Sequence, residues 1–534
     1  MTALPGSLGL IGLTALLILI LGGGVLSLSS RGRKQTGLEL LAYAIGMGIL
    51  ALALIGVAVV SISWDYQRNS WLVIAVALAA SLVQWVRTRV FSRLFGGQAL
   101  AQAVPTRFVA LGWVVMAALP MAVTFLPIKM PDTLPDGAYV IKGDNLHVRL
   151  QRMMGDFPAD NYIPFVATEY LVRDISFAEE RPLMPGQELA NRPILMSLVA
   201  VPFRAAMDAP PKIEGPLPTF KYVGKQWPDV GRFGDDVSYR RFLAVALVLN
   251  ASLFVGAALF FHYFGLRRAY SVAGLLLLLS SPYFLGQTLF AWPKSLAGFY
   301  LLLSAYTLLV RDRTWVAGLL AALAYWAHPY AVVFIGAFAL YLLVRERNDM
   351  DPRRGLLPFC IAAVSGLLIW WGWAQWYLQM PSDLVEQNLG TQAALLSQAG
   401  IRLSNTLNTI APISFTAWPS LHDLLQACLL GLVGGVGLLL LPQAVLGAVQ
   451  CMRERRKEIV LLVALPSVLL VGVFSALAVP AVHGFQSVAV ILLMLALLWM
   501  QRRGHSTLMM ACVALQVSLN IALMVYRGFV LVQG

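Results

Sequence analysis

Long apolar runs, broken by short polar turns, recur along almost the whole chain. A membrane-spanning helix needs about 20 apolar residues, with a range of ~17–25. Runs of this kind lie near residues 8–28, 38–61, 71–86, 107–127, 242–263, 270–285, 293–310, 314–328, 329–344, 356–375, 425–448, 458–478, 485–500 and 506–526. They predict an all-α polytopic membrane protein with about fourteen transmembrane helices. The range is 12–14, because several runs are short and the pair divided at His328-Pro329 also reads as one kinked helix. The first run, Leu8–Leu28, has no basic residue before it and is followed by Arg31, Arg33 and Lys34. That pattern reads as a first membrane helix with its N-terminus outside, not as a cleavable signal peptide.

Two polar segments interrupt the helices. Residues 128–240 are rich in Pro and Gly and carry 15 of the 26 acidic residues. Residues 376–424 carry Asp383, Glu386, Arg402 and His422. Neither reads as an independent domain, and the apolar stretches inside them (163–166, 194–203, 393–396) read as able to lie on the membrane. The expected organisation is three extra N-terminal helices in 1–106, a core in 107–350 that includes the loop 128–240, and C-terminal helices in 351–534 that include 376–424.

Charge sorts with the predicted helices. Alternating them places 21 basic residues on one side, in the turns around 31–34, 87–107, 267–268, 311–313, 345–354, 453–457 and 502–503. The short turns of the other side hold only Arg68 and Lys294. Lys and Arg accumulate in cytoplasmic loops, so both long segments are expected outside. Composition agrees: of 534 residues, 59% are apolar and 12% charged, against about 25% charged in soluble domains. The cytoplasmic turns account for most of the basic excess behind the net charge of +13, so no nucleic acid is needed as a partner. None of the four Cys lies in 128–240, which argues against a disulfide framework or a Cys-based metal site.

The densest candidate chemistry is in the first long segment. After Asp144, the residues Leu146, Leu150, Met153 and Phe157 follow a helical stripe, with Arg149 and Arg152 off it. This predicts a short helix lying in the membrane interface. Asp144 would stand at its N-terminus with His147 one turn on, close enough for a carboxylate base and an orienting or phosphate-binding imidazole. The alternative is an ordinary N-cap beside an interfacial histidine. Asp156 and Asp160 suit metal or sugar, or else a solvated turn. Asn191-Arg192 precedes an apolar run, where Arg192 suits a phosphate oxygen or snorkels to headgroups. Lys294, in Ala291-Trp292-Pro293-Lys294, runs against the charge bias and is expected to contact an anion. His328, before Pro329, is either a ligand or a helix terminator. There is no Walker loop, HExxH, CxxC pair or Gly-x-Ser-x-Gly elbow, so no nucleotide hydrolysis is expected.

This layout resembles the GT-C membrane glycosyltransferases. The resemblance rests on helix 107–127, then Gly143-Asp144-Asn145-Leu146-His147, then the helices from 242, with Thr288–Phe299 and Gly318–Pro329 similar to their core. It covers residues 107–350. Asn145 stands where many relatives have a second acid, which leaves metal dependence open, and three helices precede the core. The resemblance implies an inverting glycosyltransferase of a bacterial inner membrane. It would move a sugar from a polyprenyl-phosphate donor to a glycan, lipid or protein acceptor on the periplasmic face. Asp144 would be the base, and His147 would assist. Lys294, Arg192, Asn191, His328 and Asp160 would bind substrate. No cofactor is required beyond the lipid-phosphate sugar, which is itself a substrate. The rival readings are a lipid-linked glycan polymerase or ligase, a transporter or flippase, and a non-catalytic subunit of a polysaccharide assembly system. A transporter predicts mid-membrane ionisable residues and related halves, and the chain has almost none of the former and no second copy of 128–240.

Overall fold

The computed structural model describes residues 3–29, 32, 35–61, 70–96, 104–123, 163–177, 193–207, 219–222, 225–228, 236–349, 355–379, 439–454, 458, 462, 464–474 and 484–525. Apart from a small antiparallel hairpin, β1 (Thr219–Tyr222) with β2 (Lys225–Pro228), the regular elements described are helical. The helices are α1 (Ala3–Ser27), α2 (Gly37–Ser61), α3 (Ser70–Arg87), α4 (Val90–Phe95), α5 (Thr106–Val123), α6 (Ile163–Val172) and α7 (Leu195–Met207). There follow α8 (Asp236–Tyr263), α9 (Arg268–Ser280), α10 (Pro282–Leu289), α11 (Lys294–Val310), α12 (Thr314–Ala327), α13 (Ala331–Asp349) and α14 (Leu356–Gly372, running on as a π turn through Tyr377). The last are α15 (Leu441–Arg453), α16 (Leu465–Phe474), α17 (Gln486–Arg502) and α18 (Ser506–Val525).

Among the described residues, five helices are long and apolar enough to cross a membrane: α1, α2, α3, α8 and α14. A sixth span results if α9 and α10, bent by 59° at their junction, count as one. Pro282 opens α10 and donates no backbone N–H, which is where the ladder of the run predicted over 270–285 breaks. The runs predicted over 107–127, 293–310, 314–328, 329–344, 485–500 and 506–526 appear as the shorter apolar helices α5, α11, α12, α13, α17 and α18, while most of 425–448 and part of 458–478 lie outside the described residues.

The bundle is organised around α8. All of its most apolar window is buried in protein, and α1, α2, α5, α7, α11 and α17 pack on it. By contrast α3 shows Trp71, Val76, Val83 and Val86 outward, an apolar surface of the kind that faces lipid. The triple glycine 22–24 of α1 is a packing face. A Cβ on Gly22 would fall 1.7 Å from the Ala44 carbonyl oxygen, and one on Gly48 would fall 1.9 Å from that of Ile18. The α1 and α2 backbones therefore touch, as small residues permit inside membranes. Trp85 of α3 closes over them and donates to the Ile20 carbonyl at 2.9 Å.

The first helices are tied directly to the later core. Tyr43 of α2 shares a 2.6 Å hydrogen bond with Thr307 of α11. Tyr300 of α11 donates to the Gly46 carbonyl at 2.8 Å. Arg311 grips Glu39 with both Nε, at 2.6 Å, and Nη2, and that carboxylate raises the guanidinium's pKa further.

Among the described residues, several of the predicted basic turns are tied by hydrogen bonds. Arg93 donates to the Gly32 and Gln35 carbonyls, Arg345 to Asp312 at 3.1 Å, and Arg502 to Glu454 at 2.5 Å. Gln501 bridges Gly265 and Arg267. These contacts close one end of the bundle, called here the basic end.

One expectation changes. The stretches 163–166 and 194–203 were read as able to lie on the membrane, but they form α6 and α7, whose side chains are almost all buried within the fold. Gly56 of α2 abuts the Leu198 backbone of α7. The pair is locked by Glu169, which is wholly buried and accepts from Arg173 Nε at 2.8 Å and Arg204 Nε at 2.6 Å. Two guanidiniums on one carboxylate meet the requirement that a buried charge be paired.

Candidate functional site

At the far end of α11 from Arg311, three turns meet: Phe290–Lys294, His328–Tyr330 and Gly484–Gln486. Each turn has a local cause. Pro293 cannot donate a backbone N–H, so α11 begins at Lys294. A residue before proline is driven out of the helical region, and His328 accordingly ends α12 with φ −152° and ψ 135°. Gly484 lies against the Tyr330 ring, where an added Cβ would be 2.9 Å away.

The sequence treated Lys294 and His328 as separate candidates, and the fold brings them together. The Trp292 and His328 rings have centroids 4.6 Å apart. The Tyr330 hydroxyl donates to the Lys294 carbonyl at 3.0 Å. The Tyr330 backbone N–H donates to His328 Nδ1 at 3.2 Å, so a neutral His328 carries its proton on Nε2. Lys294 is only 1% exposed. Its ammonium lies 4.4 Å from the Phe290 ring centre and 4.9 Å from that of Trp292. Aromatic faces offset part of the desolvation of a cation without neutralising it.

Two amides hold the turns in place. Asn250, buried in the middle of α8, donates to the Thr288 carbonyl at 3.1 Å and the Phe290 carbonyl at 2.8 Å, and accepts from Leu296 N–H at 3.3 Å. It thereby satisfies backbone groups that the break between α10 and α11 releases. Gln486 donates to Gln287 Oε1 at 2.9 Å.

The electrostatics follow from helix polarity. α11, α13 and α17 all start here, so three positive helix ends point into one region. Lys294 adds a full charge at the first residue of α11, where the helix dipole disfavours a cation. Such a locus favours an anion, and phosphate is well suited to combined helix ends and ammonium groups.

Depth is set by helix length. α11 has 17 residues, or about 25 Å, and α12 has 14, or about 21 Å, at 1.5 Å per residue. Both fall short of a hydrocarbon core of about 30 Å. α14, packed against α12 through the Trp326 to Gly366 hydrogen bond of 3.0 Å, runs further and ends in Trp371, Trp373, Trp376 and Tyr377. Trp376 is 77% exposed. Exposed Trp and Tyr mark the headgroup level. The Lys294 cluster thus lies below the aromatic end of α14.

Of the sequence-predicted site residues, Lys294 and His328 are in this cluster. Asp144, His147, Asp160, Asn191 and Arg192 lie outside the described residues, as do the interfacial helix predicted after Asp144 and nearly all of 376–424. Asn250 and Gln486 were missed. Asn250 left a signal, a lone amide inside an apolar helix; Gln486, at a helix start, left none. Among the described residues, no three His, Cys, Asp or Glu side chains come together. No family model, curated protein or solved structure matches the chain.

Proposed function

We propose that this chain is an integral membrane glycosyltransferase of the GT-C type, with 12–14 spans in a bacterial inner membrane. In this reading the basic end faces the cytoplasm, and the segments 128–240 and 376–424 face the periplasm. It transfers a sugar from a polyprenyl-phosphate donor to a glycan, lipid or protein acceptor with inversion. Asp144 takes the proton from an acceptor hydroxyl as that oxygen attacks the anomeric carbon. The bond from that carbon to the phosphate oxygen breaks, and its electron pair leaves with polyprenyl phosphate. Lys294, Arg192 and His147 stabilise the charge growing on the phosphate, while Asn191, Asp160 and His328 contact the sugar-phosphate.

The observation that carries this reading is the buried Lys294 ammonium set among three helix N-termini, below the aromatic end of α14. In this reading the phosphate is carried on a lipid and approaches from the bilayer. The test uses purified protein in nanodiscs with a panel of short-chain polyprenyl-phosphate sugars, reading release of polyprenyl phosphate. In parallel, polyprenyl phosphate alone is titrated into wild type and Lys294→Met. Release from at least one donor, with binding weakened in the variant, is expected. Absence of release across the panel, together with equal binding by both proteins, rejects the reading.

A further inference from the structure

A second site lies at the opposite end of the bundle. A cavity of about 550 Å³ opens between the basic-end termini of α2, α5, α8, α9 and α11. Its polar wall includes Thr36, Glu39, Arg107, His262, Tyr306 and Arg311, and the rest is largely leucine, phenylalanine, valine and alanine. Glu39 is taken up by Arg311, so that pair contributes no net charge. Arg107 stacks on Phe108 with its guanidinium carbon 5.4 Å from the ring centre. Among the described residues, neither Arg107 nor His262 has a carboxylate partner. The cavity is therefore net positive, and the starts of α2 and α5 add positive helix ends to the same wall. Hydroxyls, a free guanidinium and an imidazole suit phosphate oxygens. The apolar part suits the carbon chains next to such a phosphate.

We infer that this cavity binds a phosphate monoester group, with the phosphate on Arg107 and His262 and any attached acyl chain along the apolar wall. The inference is independent of the sugar-transfer reading, since the two sites stand at opposite ends of α11. The source is either a lipid of the adjacent leaflet or a soluble phosphate ester, and one experiment separates the two.

Native mass spectrometry of the detergent-solubilised full chain would measure binding of dioleoyl phosphatidic acid. Dioleoylglycerol, which differs only by the phosphate, and glycerol 3-phosphate, which lacks the chains, are the comparisons. Phosphatidic acid should bind, and dioleoylglycerol should not. Arg107→Gln and His262→Gln should each weaken binding by about tenfold or more, the scale of one charge-assisted hydrogen bond. Arg87→Gln, at an exposed arginine outside the cavity, should leave binding unchanged. Glycerol 3-phosphate binding with the same variant pattern, in place of phosphatidic acid, keeps the site and assigns it a soluble ligand. Equal binding of dioleoylglycerol, or an equal loss with Arg87→Gln, overturns the proposal. So does binding that survives both cavity variants, with folding checked by gel filtration.

Discussion

The Tyr330 hydroxyl donates to the Lys294 carbonyl at 3.0 Å, across 36 residues of chain. This bond ties the start of α11 to the turn that carries His328, so the two candidate ligands keep a fixed spacing. Tyr330→Phe removes the donor and keeps the ring, which packs on His328 with centroids 5.0 Å apart. One neutral hydrogen bond contributes about 1 kcal/mol, so the melting temperature should fall only slightly. If the proposed sugar transfer is the activity, it should fall by a larger factor, because the start of α11 is no longer held in register with the His328 turn. Equal losses in the two measurements would assign Tyr330 a purely structural role.

Lys294 separates a donor contact from a structural ion pair. With a donor contact, Lys294→Met folds normally and loses turnover by about 10²–10³-fold, as when an oxyanion donor is removed. Lys294→Arg then restores part of it, since guanidinium also bonds phosphate. With a structural pair, Lys294→Met lowers yield and stability because a buried carboxylate is left alone. Donor titrations beside thermal melts distinguish the two, and unchanged donor affinity in a well-folded Lys294→Met protein would remove the phosphate role.

Asp144→Asn keeps the side chain's shape and its capacity to cap a helix. A general base does not survive the change, and its loss typically lowers rate by 10²–10⁴-fold. Insertion and yield should match wild type. Wild-type turnover by the variant would take Asp144 out of the mechanism.

Glu169 is the hinge of the α6–α7 pair. Glu169→Gln leaves the Arg173 and Arg204 guanidiniums side by side without their shared anion. Breaking a buried ionic cluster on one side costs about 3–5 kcal/mol, so the variant should melt well below wild type. A melt indistinguishable from wild type would mean that α6 and α7 are held by apolar packing alone.

Orientation is tested by cysteine labelling in a background free of native Cys. A cysteine placed at residue 214 should react with an impermeant reagent from outside. One placed at residue 455 should react only after permeabilisation. The reverse pattern would refute both the topology and the outer-face site.

Helix positions were readable because membrane helices need long apolar runs, and few residues in such runs are ambiguous. The run predicted at 38–61 forms Gly37–Ser61, and the one at 71–86 forms Ser70–Arg87. The basic turns were legible between the apolar runs, and one of them brings Arg311 to Glu39 at the basic end. What covers an apolar stretch was not readable. Leu195–Met207 looks alike whether its neighbour is lipid or the α2 backbone, and only the close approach at Gly56 decides it. Nor does spacing along the chain reveal that Asn250 reaches Phe290, or that Tyr330 reaches Lys294, because both contacts depend on how the helices pack. Lys294 itself was legible as a lone cation against the charge bias, but its partnership with His328 was not.

The shortness of α12 also has a consequence for a surrounding bilayer. Trp315, Leu319, Val332 and Leu340 are exposed on α12 and α13, an apolar surface of the kind that faces lipid. Against a hydrocarbon core of about 30 Å, α12 at about 21 Å would create hydrophobic mismatch, which a bilayer relieves by thinning locally. Headgroups of the nearby leaflet would then be drawn from the aromatic end of α14 toward the end of α12 that carries His328. In the proposed reaction, a phosphate carried by a lipid of that leaflet would then have less hydrocarbon to cross on its way to Lys294.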